Sequence, residues 1–112
     1  MPLDKSHFRV DDAESLLKAM ANQARLMILC EVLKGERTVM ELHEVLGNSM
    51  SPISQHLAVL RYERIVTTRR ESQHVYYPLA NEAAKTMLGT LQEIYCAPTN
   101  SLTRVKPRRR SK

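Results

Sequence analysis

A chain of 112 residues, 43% hydrophobic but only 4% aromatic and without tryptophan, has room for one domain built on a modest aliphatic core. No apolar run is long enough to span a bilayer, and the first residues lack the apolar stretch of a secretory signal, so a cytoplasmic protein is expected. The net charge of +5 is largely local. Arg104, Lys106, Arg108, Arg109, Arg110 and Lys112 crowd the last residues without an acid among them, and the rest of the chain is near neutral. Overall charge is therefore weaker evidence for nucleic acid than the placement of Arg61, Arg64, Arg69 and Arg70.

Residues 1–10 read as a flexible N-terminal arm. Asp11 or Asp12 can cap a first helix, with Ala13, Leu16, Leu17 and Met20 at helical spacing. Asn22 has the chemistry to open a second helix, carrying Leu26, Leu29, Cys30 and Leu33 on one stripe, and Gly35 stops it. Thr38 and Glu41 form a capping box, in which hydroxyl and carboxylate satisfy each other's backbone N–H groups. The third helix then buries Val39, Leu42 and Leu46 and ends at Gly47. A fourth starts at about Ser51, with Pro52 in the first helical position, Ile53, Leu57 and Leu60 inward, and Ser54, Gln55, Ala58 and Arg61 outward. So short a connection is helix-turn-helix spacing. Residues 65–70 and 74–79 are β-branched and aromatic runs, with 71–73 as the tip of a hairpin. Asn81 opens a last helix whose stripe is Ala84, Met87, Leu88, Leu91 and Tyr95, and Pro98 bars its continuation. The pattern predicts a mainly α fold with a small β-hairpin: a winged helix-turn-helix DNA-binding and dimerisation domain over 11–97, with a disordered basic tail over 98–112.

A helix with a polar, small-residue face beside an Arg-rich hairpin fits a groove and its flanking backbone. Gln55 can pair bidentately with adenine, while Ser51 and Ser54 suit phosphate. Ser49, Arg61, Arg69, Arg70 and His74 complete the candidate DNA contacts. Arg69 and Arg70 fall on opposite faces of a strand, so only one need point at DNA. His56, on the side of Ile53 and Leu60, and His43, on an inner stripe, read as packed structural histidines. The first and last helices keep apolar stripes that a three-helix core does not use. They suggest a homodimer reading a pseudo-palindromic double-stranded operator with half-sites one helical turn apart. Cys30 sits on an apolar stripe, where an inert core thiol is common. Cys96, at a helix end, invites oxidation if exposed. No C-x-x-C, no nucleophile–base spacing and no glycine-rich phosphate loop is present, so neither an enzyme nor a cofactor is expected.

The run LLKAMANQARLMILCEVLKGERTVMELHEVLGNSMSPISQHLAVLR, followed by IVTTRRESQHVYYPL, resembles the ArsR/SmtB family of winged-helix repressors across about residues 13–96. Its most specific motif is S-x-S-x-x-S-Q-H-L-x-x-L-R, from Ser49 to Arg61. The resemblance implies a dimer through the first and last helices. The family's arsenic sensors carry C-V-C-D-L-C where this chain has Thr38-Val39-Met40-Glu41-Leu42-His43, and its zinc sensors use histidines on the last helix, which has none here. Neither ligand set is present. Cys30 in R-L-M-I-L-C and Cys96 in I-Y-C resemble instead the cysteine pair of the sulfide- and redox-responsive branch, the BigR, SqrR and HlyU type. What this implies is a repressor that releases its operator when an oxidant or reactive sulfur bridges Cys30 and Cys96, by a disulfide or a longer sulfur chain. The alternative is a metal- or small-ligand-responsive regulator on the same fold, drawing on Cys30, Cys96 and His7. The family usually has Gly where Arg64 stands, so a strained turn is expected there.

Overall fold

Asn22, Thr38 and Asn81 start three of the five helices by one device, a side-chain oxygen that accepts an otherwise orphaned backbone N–H. Asn22 Oδ1 accepts from Arg25 at 3.0 Å and Asn81 Oδ1 from Ala84 at 2.9 Å. Thr38 Oγ1 accepts from Glu41 N–H at 3.1 Å, and Glu41 Oε1 accepts from Thr38 N–H at 3.0 Å, which completes the capping box. Each such cap stabilises its helix by about 1 kcal/mol. The computed structural model describes residues 9–47 and 52–96. Over these the order is α1 (Val10–Met20), α2 (Gln23–Lys34), α3 (Val39–Leu46), α4 (Ile53–Tyr62), β1 (Arg69–Glu71), β2 (His74–Tyr76) and α5 (Glu82–Tyr95). The sequence expectation of a mainly α winged helix-turn-helix holds. The arm before Arg9 and the tail from residue 97 lie outside the described residues.

Two helix starts differ from expectation. α1 begins at Val10, and its N-cap Arg9 makes no side-chain cap bond. Asp11 and Asp12 lie inside the first turn, where they complement the positive end of the helix dipole, and Asp12 also pairs with Arg9 at 2.9 Å. Pro52 is the N-cap of α4 rather than its first helical residue. Its ψ of 109° keeps it extended, although its φ of −54° would suit a helix.

α2 is the hub and packs against α1, α3, α4 and α5. Its fully buried residues are Ile28, Leu29 and Val32, with Leu26, Cys30 and Leu33 as half-buried flanks. The expected stripe is thus turned, because a helix with neighbours on several sides is apolar nearly all round and its periodicity does not mark one face. α4 buries Ile53, Leu57 and Leu60 as expected, in the same core as Leu42 of α3 and Ala84 and Leu88 of α5. Of the α1 stripe, Met20 is buried and Leu16 packs against the core, with Ala19 buried beside them, while Leu17 is 50% exposed, in line with a stripe that the core does not fully use.

α4 ends in a Schellman motif. The Ile65 N–H donates to Leu60 O at 2.8 Å, the Arg64 N–H donates to Arg61 O at 2.9 Å, and Arg64 takes a φ of 63°. Leu60 and Ile65, the apolar pair of that motif, are both fully buried. The regular strands are shorter than the β-rich runs. β1 pairs antiparallel with β2 in the register Arg69↔Tyr76, Arg70↔Val75 and Glu71↔His74. Glu71 belongs to the strand, and the tip is Ser72-Gln73 with Ser72 at φ 60°, the positive first position of a tight hairpin turn. Below the hairpin, Thr67 N–H donates to Pro78 O at 3.1 Å and Ala80 N–H to Ile65 O at 2.8 Å. Pro78 has no N–H to return, which interrupts the ladder. Tyr77 N–H donates to Arg37 O at 2.9 Å and ties the root of the wing to the α2–α3 loop.

Candidate nucleic-acid interface

α4 is divided by its own spacing. With Ile53, Leu57 and Leu60 buried, the helical rotation leaves Ser54, Gln55, Ala58 and Arg61 exposed on the far side. Tyr62 stands on that same outer face, at i+7 from Gln55 and i+4 from Ala58, and is 84% exposed. Tyr62 is missed when the sequence is read for basic and small polar residues alone, yet the spacing that places Gln55 outside places Tyr62 there as well. His56 is half-buried. Ser49 and Ser51, the other two serines of the motif, lie outside the described residues.

The two wing arginines part company. Arg70 is exposed and has no side-chain partner among the described residues. Arg69 is held in a fork: its Nε and Nη2 donate to the two carboxylate oxygens of Glu36 at 2.9 and 2.8 Å, and Nη1 donates to Glu71 Oε1 at 2.9 Å. Its guanidinium carbon lies 4.8 Å from the centre of the Tyr76 ring, a cation–π distance. The hydrogen bond from Arg69 holds the Glu36 carboxyl below its usual range, and the bonds to Glu36 and Glu71 push Arg69 further toward its charged form. His74, exposed at the end of β2, faces Glu71 across the hairpin and lies 6.2 Å from the Tyr76 ring.

Both candidate thiols are free cysteines. Cys30 is half-buried on α2 against the core, and Cys96 is the exposed C-cap of α5. The two helices pack on each other. The cations nearest Cys30 in sequence are both engaged: Arg25 Nε donates to Ala19 O at 2.6 Å and Lys34 Nζ to Glu31 at 2.9 Å. His43 Nδ1 on α3 is enclosed and has no hydrogen-bond partner among the described residues. Among those residues no group of three or more His, Cys, Asp or Glu is placed to hold a metal ion, and no helix is long and apolar enough to cross a membrane.

Residues 22–68, the span from the α2 cap to the wing, match the family described as "Bacterial regulatory protein, arsR family". The transcriptional activator HlyU of Vibrio cholerae is 49% identical over 81 residues, 72% of this chain and 75% of that protein. The chain belongs to the ArsR family. Reduced HlyU from Vibrio cholerae superposes with a TM-score of 0.75 at 43% identity, over 84% of this chain and 99% of that one. The biofilm growth-associated repressor of Agrobacterium fabrum is 39% identical over 102 residues, 91% of this chain and 87% of that protein. A homodimeric winged helix-turn-helix DNA-binding domain from Mycobacterium bovis shares the fold with a TM-score of 0.66 at 29% identity, over 81% of this chain and 84% of that one. As an ArsR-family protein, this chain is a transcriptional regulator and not an enzyme. The turn after α4, where a strained residue was expected, takes positive φ at Arg64.

Proposed function

We propose that this regulator is a homodimeric repressor that grips a pseudo-palindromic operator in the cytoplasm and releases it when an oxidant or reactive sulfur bridges Cys30 and Cys96. The observation that carries the DNA half is the two-faced α4, apolar inward and small and polar outward, beside a hairpin whose Arg70 has no side-chain partner among the described residues. Gln55 reads adenine in the major groove. Ser54, with Ser49 and Ser51, holds phosphate, and Arg61, Arg70 and His74 add donors to the backbone. Arg69 belongs to the wing too, but carboxylates already occupy it. Val10 and Leu17 on α1 and Ile94 and Tyr95 on α5 expose apolar area that a second copy would cover, and the Mycobacterium bovis relative is homodimeric. Two-fold symmetry would then place two α4 helices about 34 Å apart, one turn of B-DNA.

The thiol half rests on exposure and on helix packing. Cys96 is the accessible thiol and reacts first: its thiolate attacks the sulfane sulfur of a persulfide and expels the donor's thiolate. Cys30 then attacks the inner sulfur of the Cys96 persulfide and expels hydrosulfide. The two thiols lose two protons and two electrons, and the sulfane sulfur is reduced to sulfide. A disulfide draws the Cα atoms to within about 7 Å, while retained sulfur atoms relax that limit. Pulling α5 onto α2 changes the dimer face and so the separation of the α4 pair. A coupling of about 1–3 kcal/mol, roughly 5- to 150-fold in affinity, suffices for a switch.

The test pairs fluorescence anisotropy on promoter-region DNA with intact mass spectrometry, before and after an inorganic polysulfide. The wild type is expected to lose affinity, to lose two hydrogens with or without a gain of whole sulfur atoms, and to recover with reductant. Cys30→Ser should acquire sulfur on Cys96 yet stay bound. If Cys30→Ser lets go of DNA as the wild type does, the bridge is not the switch.

A further inference from the structure

We infer that Arg69 is a positioning residue that straps the wing to the α2–α3 loop, leaving phosphate contact on β1 to Arg70. The strap has two strands. The guanidinium fork of Arg69 takes both oxygens of Glu36, and one residue further along the loop the Arg37 carbonyl accepts the Tyr77 N–H from the other side of the hairpin. Glu71 takes the remaining edge of the fork and the Tyr76 ring covers the guanidinium, so the side chain is constrained from three directions. Only arginine offers this geometry, because lysine has no planar fork. The charges also oppose a direct DNA role. Two carboxylates surround one guanidinium, a local net charge of −1, and moving Arg69 onto a phosphate would strand both beside the DNA backbone. Arg70, on the opposite face of the strand, has no such competitor among the described residues.

The DNA part of this inference rests on the winged-helix reading above; the strap itself does not, and the experiment separates them. Wild type, Arg69→Gln, Arg69→Lys, Arg70→Gln and Glu36→Gln are compared by anisotropy with a labelled mixed-sequence duplex over a KCl series, and by amide hydrogen exchange of residues 69–76. Arg70→Gln should flatten the dependence of log K on log salt by about 0.9 for each phosphate no longer neutralised, and leave wing exchange unchanged. Arg69→Gln, Arg69→Lys and Glu36→Gln should speed wing exchange and weaken binding by about two- to fivefold at unaltered slope. Glu36→Gln is decisive because removing an acid should tighten DNA binding by charge alone. Tighter binding with a steeper slope in Glu36→Gln would mean that Arg69 had been freed to reach phosphate, and would overturn the inference. So would a flattened slope in Arg69→Gln, or unchanged wing exchange in Glu36→Gln. A wild type that binds no duplex at any salt would sink the DNA reading, while wing exchange would still decide the strap.

Discussion

Arg64 is the residue where chain and fold disagree most plainly. The Schellman motif that closes α4 needs positive φ at this position, and glycine reaches that region without a Cβ clash. An L-residue gives up roughly 1–2 kcal/mol there, partly offset by the smaller entropy of its unfolded chain. Arg64→Gly is therefore expected to raise stability by about 0.5–1 kcal/mol, read as a higher urea midpoint at constant m-value. A lower midpoint would show that the Arg64 side chain contributes more than its backbone costs. Two other single residues behave as their chemistry indicates: Gly47 ends α3 at a φ of 92°, and Asn81 caps α5. Tyr62 carries no charge to draw notice, although helical rotation alone puts it opposite the core.

At the scale of elements, the wing depends on partners remote in sequence. Its regular part is three residues on each strand, too little for independent stability, and its attachment comes from the Arg37–Tyr77 backbone bond and the Glu36–Arg69 fork. The fork predicts an acid response. Glu36 ordinarily titrates at 4.5, and the Arg69 hydrogen bond lowers this in the folded protein. A lowered folded-state pKa means that the ionised form favours the docked wing. That contribution is complete at neutral pH, above the ordinary value, and is lost as pH falls through the lowered one. Amide exchange at residues 69–76, corrected for its intrinsic pH dependence, should lose protection below about pH 4.5 while α2 keeps its own. In Glu36→Gln that acid step should be missing; if it persists, another group anchors the wing.

For the whole molecule, the unused apolar surface sets the expectation. Leu17 on α1 and Tyr95 on α5 are 50% and 68% exposed, and the proposed dimer would cover them. A charge introduced there would be buried unpaired in a dimer and harmless in a monomer. Leu17→Glu is expected to sediment as a monomer at micromolar concentration, with an unchanged circular dichroism spectrum and a large loss of affinity for two-half-site DNA. A Leu17→Glu protein that still sediments as a dimer would move the interface away from α1.

Whatever depends on residues within about two turns of one another is written in the chain alone. The caps at Asn22, Thr38 and Asn81, the glycine stop at Gly47 and the apolar and polar faces of α4 are all local, because capping and helical rotation act over three to seven residues. Packing across the fold was needed to settle which side of α2 fills the core, that Cys30 is half-covered while Cys96 is open, and which of two adjacent arginines is held by carboxylates. The reason is distance along the chain. Glu36 lies 33 positions from Arg69, and no periodicity or motif in either segment announces the other.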